Sequence, residues 1–333
     1  MSLNPMTLRR DNARAFRIFR ARMNEGCHRF QREIGWQGGY LTHTVNWNPR
    51  EKIWSVFDPE AAQGRYWCAF GTQDPREHQM LDIVMECNSP LKGVNRRCAG
   101  AFLKAGQQVF VAHSGKIGGG RKGIGKSSFV ESYPHGNWQI VEWPDEVLTE
   151  MVIIGRINSK RLPKQLAHIV REVEKFKSSV TSGGKRSNQT IPRSTFSPEF
   201  AGQRRSYRVA RDIESSCDHG LVVNLLKRCL KRRGIKMLAN DRARDLYILS
   251  KGQRIRILFE VKTDLSTSSI YQGIGQLIYH GASAEKSPHR ILVLPGEPTA
   301  ETQKVLAQIG IEVLRYKWED GNAVFQNLEN IRV

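Results

Sequence analysis

The stretch Asp245–Tyr279, DLYILSKGQRIRILFEVKTDLSTSSIYQGIGQLIY, constrains the fold of this chain more than any other. Two runs of alternating residues flank the turn-prone Ser250-Lys251-Gly252-Gln253, a pattern that predicts a β-hairpin. With residues 252 and 253 at the tip, pairing about that centre conserves the sum of the two residue numbers and sets Asp245 opposite Glu260. Directly opposed side chains share a face and lie about 5 Å apart. Lys262, two residues beyond Glu260, belongs to the same face by strand periodicity. The alternation predicts a second, apolar face made of Leu246, Ile248, Ile255, Ile257, Phe259 and Val261. One face is thus read as core, and the other gathers Asp, Glu and Lys.

Around this hairpin the chain alternates helices and strands. Asp218 is read as the cap of a helix, HGLVVNLLKRCLKRRG, that Gly234 ends. IKMLAND and the hairpin follow, then a helix through Tyr271–His280, the buried strand RILVLPG, the helix TAETQKVLAQIG and a last strand, IEVLRYKW. The order αβββαβαβ predicts a central mixed sheet with helices on its faces.

The upstream half has a different texture. Residues 7–34 read as one amphipathic helix, with Leu8, Phe16, Phe19 and Met23 near helical spacing. Short strands broken by Gly, Pro and Asn come next (GYLTHTVNW, EKIWSVF, RYWCAFG, LDIVMEC, QVFVAH), then the strand MVIIGRI and the helix LPKQLAHIVREVEKFK. This is a β-rich α+β domain for which a barrel-like arrangement is the expectation. It holds six of the seven tryptophans, of which most are expected in the core and one or two free to stack on a base. The aperiodic Ser, Gly, Pro and Arg-rich stretch that follows reads as a linker. The expected division is 1–176 for a reading domain, 177–208 for the linker and 209–333 for the hairpin-bearing domain.

Charge decides the class of partner. The chain carries a formal net charge of +20 and a pI near 10.0, which fits a densely negative partner, most simply DNA. Residues 209–333 carry 19 Lys and Arg against 14 Asp and Glu, leaving 33 against 18 upstream, so the excess lies in the upstream part. The six cysteines show no CxxC pair, which argues against structural zinc and for reduced thiols. No apolar run reaches a membrane-spanning length and no secretory h-region opens the chain, so the expected location is the cytoplasm.

Residues 120–127, GRKGIGKS, match the phosphate-binding-loop pattern GxxxxGK[ST] literally. That mechanism needs a strand running into the first Gly and a helix starting at the Lys. Here the strand ends near His113, and Pro134 and Gly136 lead us to expect no helix after the Lys. Nucleotide hydrolysis is rejected. Lys116, Arg121, Lys122 and Lys126 are instead read as cations of a flexible loop that touches a nucleic-acid backbone.

Asp245, the Glu260-Val261-Lys262 element and the glutamine-bearing helix YQGIGQLIY together make residues 209–320 resemble the PD-(D/E)xK nuclease superfamily. The resemblance implies a restriction-endonuclease-like mixed sheet. It implies Asp245 and Glu260 as ligands of Mg²⁺, with Mn²⁺ able to substitute, and Lys262 as the group that positions or activates the attacking water. Gln276, and secondarily Gln272, match the family's helix glutamine. Many members carry a Glu in the first helix; this chain has His219 there with Glu214 just before it, which leaves the fourth position open. The bottom-up chemistry agrees, since two close carboxylates are hard oxygen ligands for Mg²⁺ and a neighbouring Lys stabilises charge on a phosphorane. Asp241 competes with Asp245 for the ligand role, and Asp245 is preferred because Asp241 falls in the turn before the strand.

The expectation is therefore a two-domain, metal-dependent DNA endonuclease of restriction or defence type, with dependence on modified bases as an open branch. A homodimer is expected, because cutting both strands needs two active sites. A structure-specific repair or junction nuclease is the rival within the enzymes, and a catalytically silent DNA-binding protein the rival outside them. RNA as substrate stays open.

Overall fold

The computed structural model describes residues 3–36, 38–59, 64–118, 124–134, 136–181, 210–241, 243–282, 284 and 287–331, with the backbone alone at 181 and 210–216. Its described residues form a mixed α+β structure with six helices. It divides into two compact units, Met1–Ile213 and Glu214–Val333. No described helix is long and apolar enough to cross a membrane. All six cysteines are free. The stretch expected as a linker lies mostly outside the described residues.

The N-terminal unit opens with β1 (Asn4–Pro5), α1 (Arg9–Asn24), β2 (His28–Trp36), β3 (Gly39–Asn48), β4 (Ile53–Asp58) and β5 (Arg65–Gly71). It continues through β6 (Met80–Asp82), β7 (Met85–Glu86), β8 (Ser89–Pro90), β9 (Gly100–Ala105) and β10 (Gln108–His113). It closes with α2 (Lys126–Ser132), β11 (Trp138–Glu142), β12 (Leu148–Arg156) and α3 (Leu162–Thr181). The strands make two separate sheets rather than a barrel, ordered β6-β2-β3-β4-β5-β7, with β8 on β5, and β1-β9-β10-β12-β11. Phe16 and Phe19 of α1 pack with Phe57, Phe70 and Phe102 in the main core, while Ile34, Trp47, Trp54 and Val56 form a second cluster. Four tryptophans, Trp47, Trp54, Trp67 and Trp143, are buried, as expected for most of them.

Two further expectations fail in this unit. The helix read over 7–34 stops at Asn24, because Gly26 takes a left-handed conformation (φ +69°) and the chain re-emerges as β2. Phe30 and Ile34 then follow strand periodicity, with Ile34 fully buried. The second failure is the helix held to be impossible after Lys126: α2 begins at that residue and fits its seven residues in before Pro134. The phosphate-loop context remains absent, since β10 ends at His113, well short of Gly120.

The C-terminal unit contains α4 (Ala210–Arg232), β13 (Leu238–Ala239), β14 (Leu246–Leu249), β15 (Ile255–Val261) and α5 (Thr267–Ala282). After these come β16 (His289–Leu294), α6 (Ala300–Gln308), β17 (Ile311–Glu319) and β18 (Asn322–Gln326). One sheet runs β13-β14-β15-β16-β17-β18, parallel across β15-β16-β17 and antiparallel elsewhere. Helix α4 starts well before Asp218, which is buried within it instead of capping it. Its C-terminus closes as expected: Gly234 has φ +83°, and the Ile235 and Gly234 amides donate to the Leu230 and Lys231 carbonyls.

The sheet is covered on both faces. Val222, Leu226 and Leu230 of α4 pack with Leu246, Ile248, Ile257, Phe259 and Val261. Ile270 and Leu277 of α5 and Leu306 of α6 pack with Leu258, Leu292 and Leu294 on the other side. The face of β15 that was read as polar is therefore a second core, and its charged residues sit where that core ends. Parallel strands joined by crossover helices have this two-sided burial, and sites open at their carboxyl ends.

Candidate active site

The expected opposition of Asp245 and Glu260 is met, by a compensation that alternation alone does not show. The loop is three residues, Lys251–Gln253, closed by hydrogen bonds from Ser250 N to Arg254 O (2.8 Å) and from Gln253 N to Ser250 O (3.0 Å). Leu249 then pairs with Ile255, one step off the register assumed. Arg256 is an extra residue, and beyond it Ile248 pairs with Ile257 and Leu246 with Phe259. The bulge restores the assumed centre, and carrying the Leu246–Phe259 register one step past the start of β14 sets Asp245 opposite Glu260. It also turns Ile255 to the α5 side, with Tyr247, rather than onto the face assigned to it.

Five predicted side chains meet at the carboxyl end of β15. Asp245 (8% exposed) accepts a hydrogen bond from the Val261 amide at Oδ2 (2.8 Å), and its Oδ1 lies 3.0 Å from His219 Nε2. Glu260 (3% exposed) holds the Lys262 ammonium 2.8 Å from Oε1. Lys262 also donates to Gln276 Oε1 at 2.7 Å, so the helix glutamine meets the site through the lysine. The Lys262 backbone is fixed on both sides, its N–H donating to Val293 O (2.9 Å) and its carbonyl accepting from Tyr316 OH (3.3 Å). Gln272, one turn earlier on α5, is exposed and bonds to none of these groups among the described residues. Asp241 is occupied as a turn cap: Oδ1 accepts the Ala243 and Arg244 amides at 2.9 Å, and Oδ2 pairs with Arg244 Nη1 at 2.9 Å. The Glu214 side chain lies outside the described residues.

Electrostatics separate the two carboxylates. Burial first, and then the Asp245 charge, push Glu260 up to about 7 against the pull of Lys262. Burial opposes ionisation of Asp245 as well, but the charge and hydrogen bond of His219 outweigh it and hold Asp245 below its ordinary value. His219 is correspondingly raised, since Asp245 overcomes the effect of burial on the imidazolium. Carboxyl groups whose environments drive their ionisations apart are found both at functional sites and in structural ion-pair networks.

Among the described residues no group of three or more His, Cys, Asp and Glu is arranged to hold a metal. The donor chemistry still suits Mg²⁺, which keeps several waters and needs only one or two protein carboxylates.

Sequence reasoning missed one residue of consequence. A Cβ at Gly273 would lie 2.6 Å from Leu292 Cδ1 and 3.3 Å from Lys262 Cε. Its absence lets α5 approach the sheet closely enough for Gln276 to reach Lys262. An isolated Gly inside a helix pattern is the available signal for such a contact. The four loop cations fare differently from the site residues. Lys116 Nζ donates to Arg96 O (2.8 Å) and half-buried Lys126 Nζ to Glu150 O (2.8 Å), while Arg121 and Lys122 lie outside the described residues.

No family model matches this chain, and no curated protein or solved structure matches it significantly.

Proposed function

We propose that the chain is a metal-dependent DNA endonuclease of PD-(D/E)xK type, with the C-terminal unit hydrolysing a phosphodiester. The observation that carries this reading is the cluster of buried Asp245 and Glu260 with half-buried Lys262 and Gln276 at the carboxyl end of β15, beside His219. Asp245 and Glu260 would hold Mg²⁺ or Mn²⁺, which when bound lowers the pKa of water and neutralises a phosphate. Lys262 supplies a fixed ammonium at the site, oriented by Glu260 on one side and Gln276 on the other, where it stabilises developing negative charge. His219 and the Val261 amide hold the Asp245 carboxylate in one orientation. DNA as the substrate is supported by the +20 charge, and a restriction or defence role by the pairing of a strongly basic unit with this site.

The test is digestion of a panel of plasmids, with and without base modifications, in Mg²⁺, Mn²⁺ and EDTA. Cleavage in either metal that EDTA stops is expected. Intact DNA in every condition, together with no heat of Mg²⁺ or Mn²⁺ binding by calorimetry, sinks the proposal in favour of a silent DNA-binding protein. Cleavage confined to branched or single-stranded DNA would move the reading to a repair or junction nuclease.

A further inference from the structure

The N-terminal unit carries a groove of about 1110 Å³ that the hydrolytic chemistry leaves unused. At one side stands the tip of the β2–β3 hairpin, where Gly35 pairs with Tyr40 and Trp36 with Gly39. Trp36 is 49% exposed and Tyr40 66%, and both line the groove. These aromatics present π-surface to the groove rather than to the core, where Trp47 and Trp54 of the same sheet are buried.

Opposite charges share this groove in a particular way. Arg97 and Lys116 line it. Lys116 uses one of its three ammonium protons on the Arg96 carbonyl, which leaves two for an anion. Glu86 lines the groove as well, and it is held rigidly. Its Oε1 accepts from Trp67 Nε1 (3.1 Å) and its Oε2 from Asn88 Nδ2 (2.6 Å). Asn88 is itself buried and anchored, its Oδ1 accepting the Cys68 amide at 2.9 Å. Each carboxylate oxygen keeps a second lone pair. A simple anion site would not include a fixed carboxylate, and an apolar peptide groove would not need the cations. Cations for a phosphate, π-surfaces for a ring and a fixed acceptor for a ring amine together describe a nucleotide.

We infer that this groove takes one nucleotide of a DNA strand, its base stacked on Trp36 or Tyr40 and its exocyclic amine donating to Glu86. Cytosine and adenine present such an amine, and a carboxylate is the side chain that accepts from it. Uracil and hypoxanthine carry a carbonyl in place of that amine and have no other exocyclic amine, so they leave Glu86 facing an acceptor there; guanine keeps an amine at C2 and is not a discriminating probe. The inference rests on the endonuclease reading only for the polymer that delivers the nucleotide; the groove chemistry is independent of hydrolysis.

The experiment uses the full chain at pH 8 in EDTA, with labelled single-stranded probes that differ by an amine-to-carbonyl exchange: oligo(dC) against oligo(dU), and oligo(dA) against oligo(dI). The amine-bearing member of each pair is expected to bind about tenfold more tightly, the scale of one discriminating base contact. Glu86→Gln is expected to collapse that ratio to about twofold or less. Because Glu86 also supports Trp67 and Asn88, Trp36→Ala and Tyr40→Ala provide surface variants that leave folding intact. Each is expected to weaken all four probes by roughly five- to tenfold, the loss of one stacking contact, with thermal stability unchanged. Equal binding within both pairs by the unaltered protein, or full affinity in both aromatic variants, overturns the inference. Plasmid cleavage in Mg²⁺ is followed in parallel. Base preference without cleavage would sink the nuclease reading alone, and cleavage without base preference would sink the groove alone.

Discussion

Each unit of the molecule buries a titratable group at the end of a strand, and the two are handled in opposite ways. In the N-terminal unit His113, fully buried at the end of β10, is satisfied by backbone alone: Nε2 donates to Glu86 O and Nδ1 accepts from Gly115 N, both at 2.9 Å. That pairing fixes one neutral tautomer, and burial pulls its pKa down to about 4. In the C-terminal unit Glu260 is satisfied by Lys262, whose other partner is Gln276, and lies beside Asp245 with its own partner His219. A buried group paired with backbone is locked and structural. A buried group paired with other ionisable side chains can exchange partners and charge, which is the property a reacting site needs.

The sharpest way to break this contrast is by activity. Glu260→Ala or Lys262→Ala is expected to lower Mg²⁺-dependent cleavage by at least about 10³-fold, the scale of removing a group that acts on developing charge, with DNA affinity in EDTA unchanged. His113→Asn is expected to leave cleavage within about threefold at a temperature where the unit stays folded, because it acts only on stability. Normal cutting by both Glu260→Ala and Lys262→Ala would remove the site assignment altogether.

Stability against pH gives the next largest effect, with opposite signs in the two units. The unfolded chain protonates His113 near 6.5 and the folded unit only near 4, so the N-terminal unit loses stability as pH falls through that window. Glu260 ionises near 4.5 when unfolded and near 7 when folded, so the metal-free C-terminal unit loses stability as pH rises through that window. Each effect is on the order of 3 kcal/mol. Hydrogen exchange resolved by segment measures both at once. Glu260→Gln is expected to flatten the C-terminal profile and leave the N-terminal one intact. Parallel slopes in the two units would break the comparison.

A third effect tests the close approach of α5. Gly273→Val forces side-chain volume against Leu292 and the Lys262 stem, with an expected cost of about 1–3 kcal/mol for overpacking. Cleavage is expected to fall about tenfold, because the pair of hydrogen bonds that aims Lys262 is disturbed. Full activity in this variant would mean that the Lys262–Gln276 contact is incidental.

Much of the C-terminal unit was legible because its local rules agree with its global arrangement. The stripe of α4, the Gly234 stop and the hairpin centre are short-range signals. Other features were hidden by effects that reach beyond a window of residues. The Arg256 bulge offsets a loop one residue longer than assumed, so two errors cancelled at Asp245 and Glu260 but not at Ile255. The pairing of His219 with Asp245 joins residues 26 apart in sequence, and no spacing rule announces it. Strand β18 was missed although its signal was local: Asp320-Gly321 joins β17 to β18 with φ of 46° and 73°, the two positive values that a type I′ turn requires. In the N-terminal unit both faces of β4 and β5 are buried, which erased the alternation that would have shown how the sheets stack.

The smallest effect separates the two neighbouring aspartates. Both precede β14, and residue type alone cannot rank them. Asp241 gives Oδ1 to two amides of its own turn and pairs Oδ2 with Arg244, and it also interacts with Tyr247 on β14. Asp245 reaches across the sheet to the Val261 amide and across to α4 at His219. Asp241→Ala is therefore expected to cost about 1 kcal/mol, the usual loss of a side-chain cap on backbone amides, and to leave cleavage within about twofold. Asp245→Ala removes a proposed metal ligand and leaves His219 without its counter-charge, so it is expected to match Glu260→Ala in activity. Chemical denaturation and plasmid cleavage on the two variants decide the ranking, and a larger loss of cleavage in Asp241→Ala than in Asp245→Ala would reverse it.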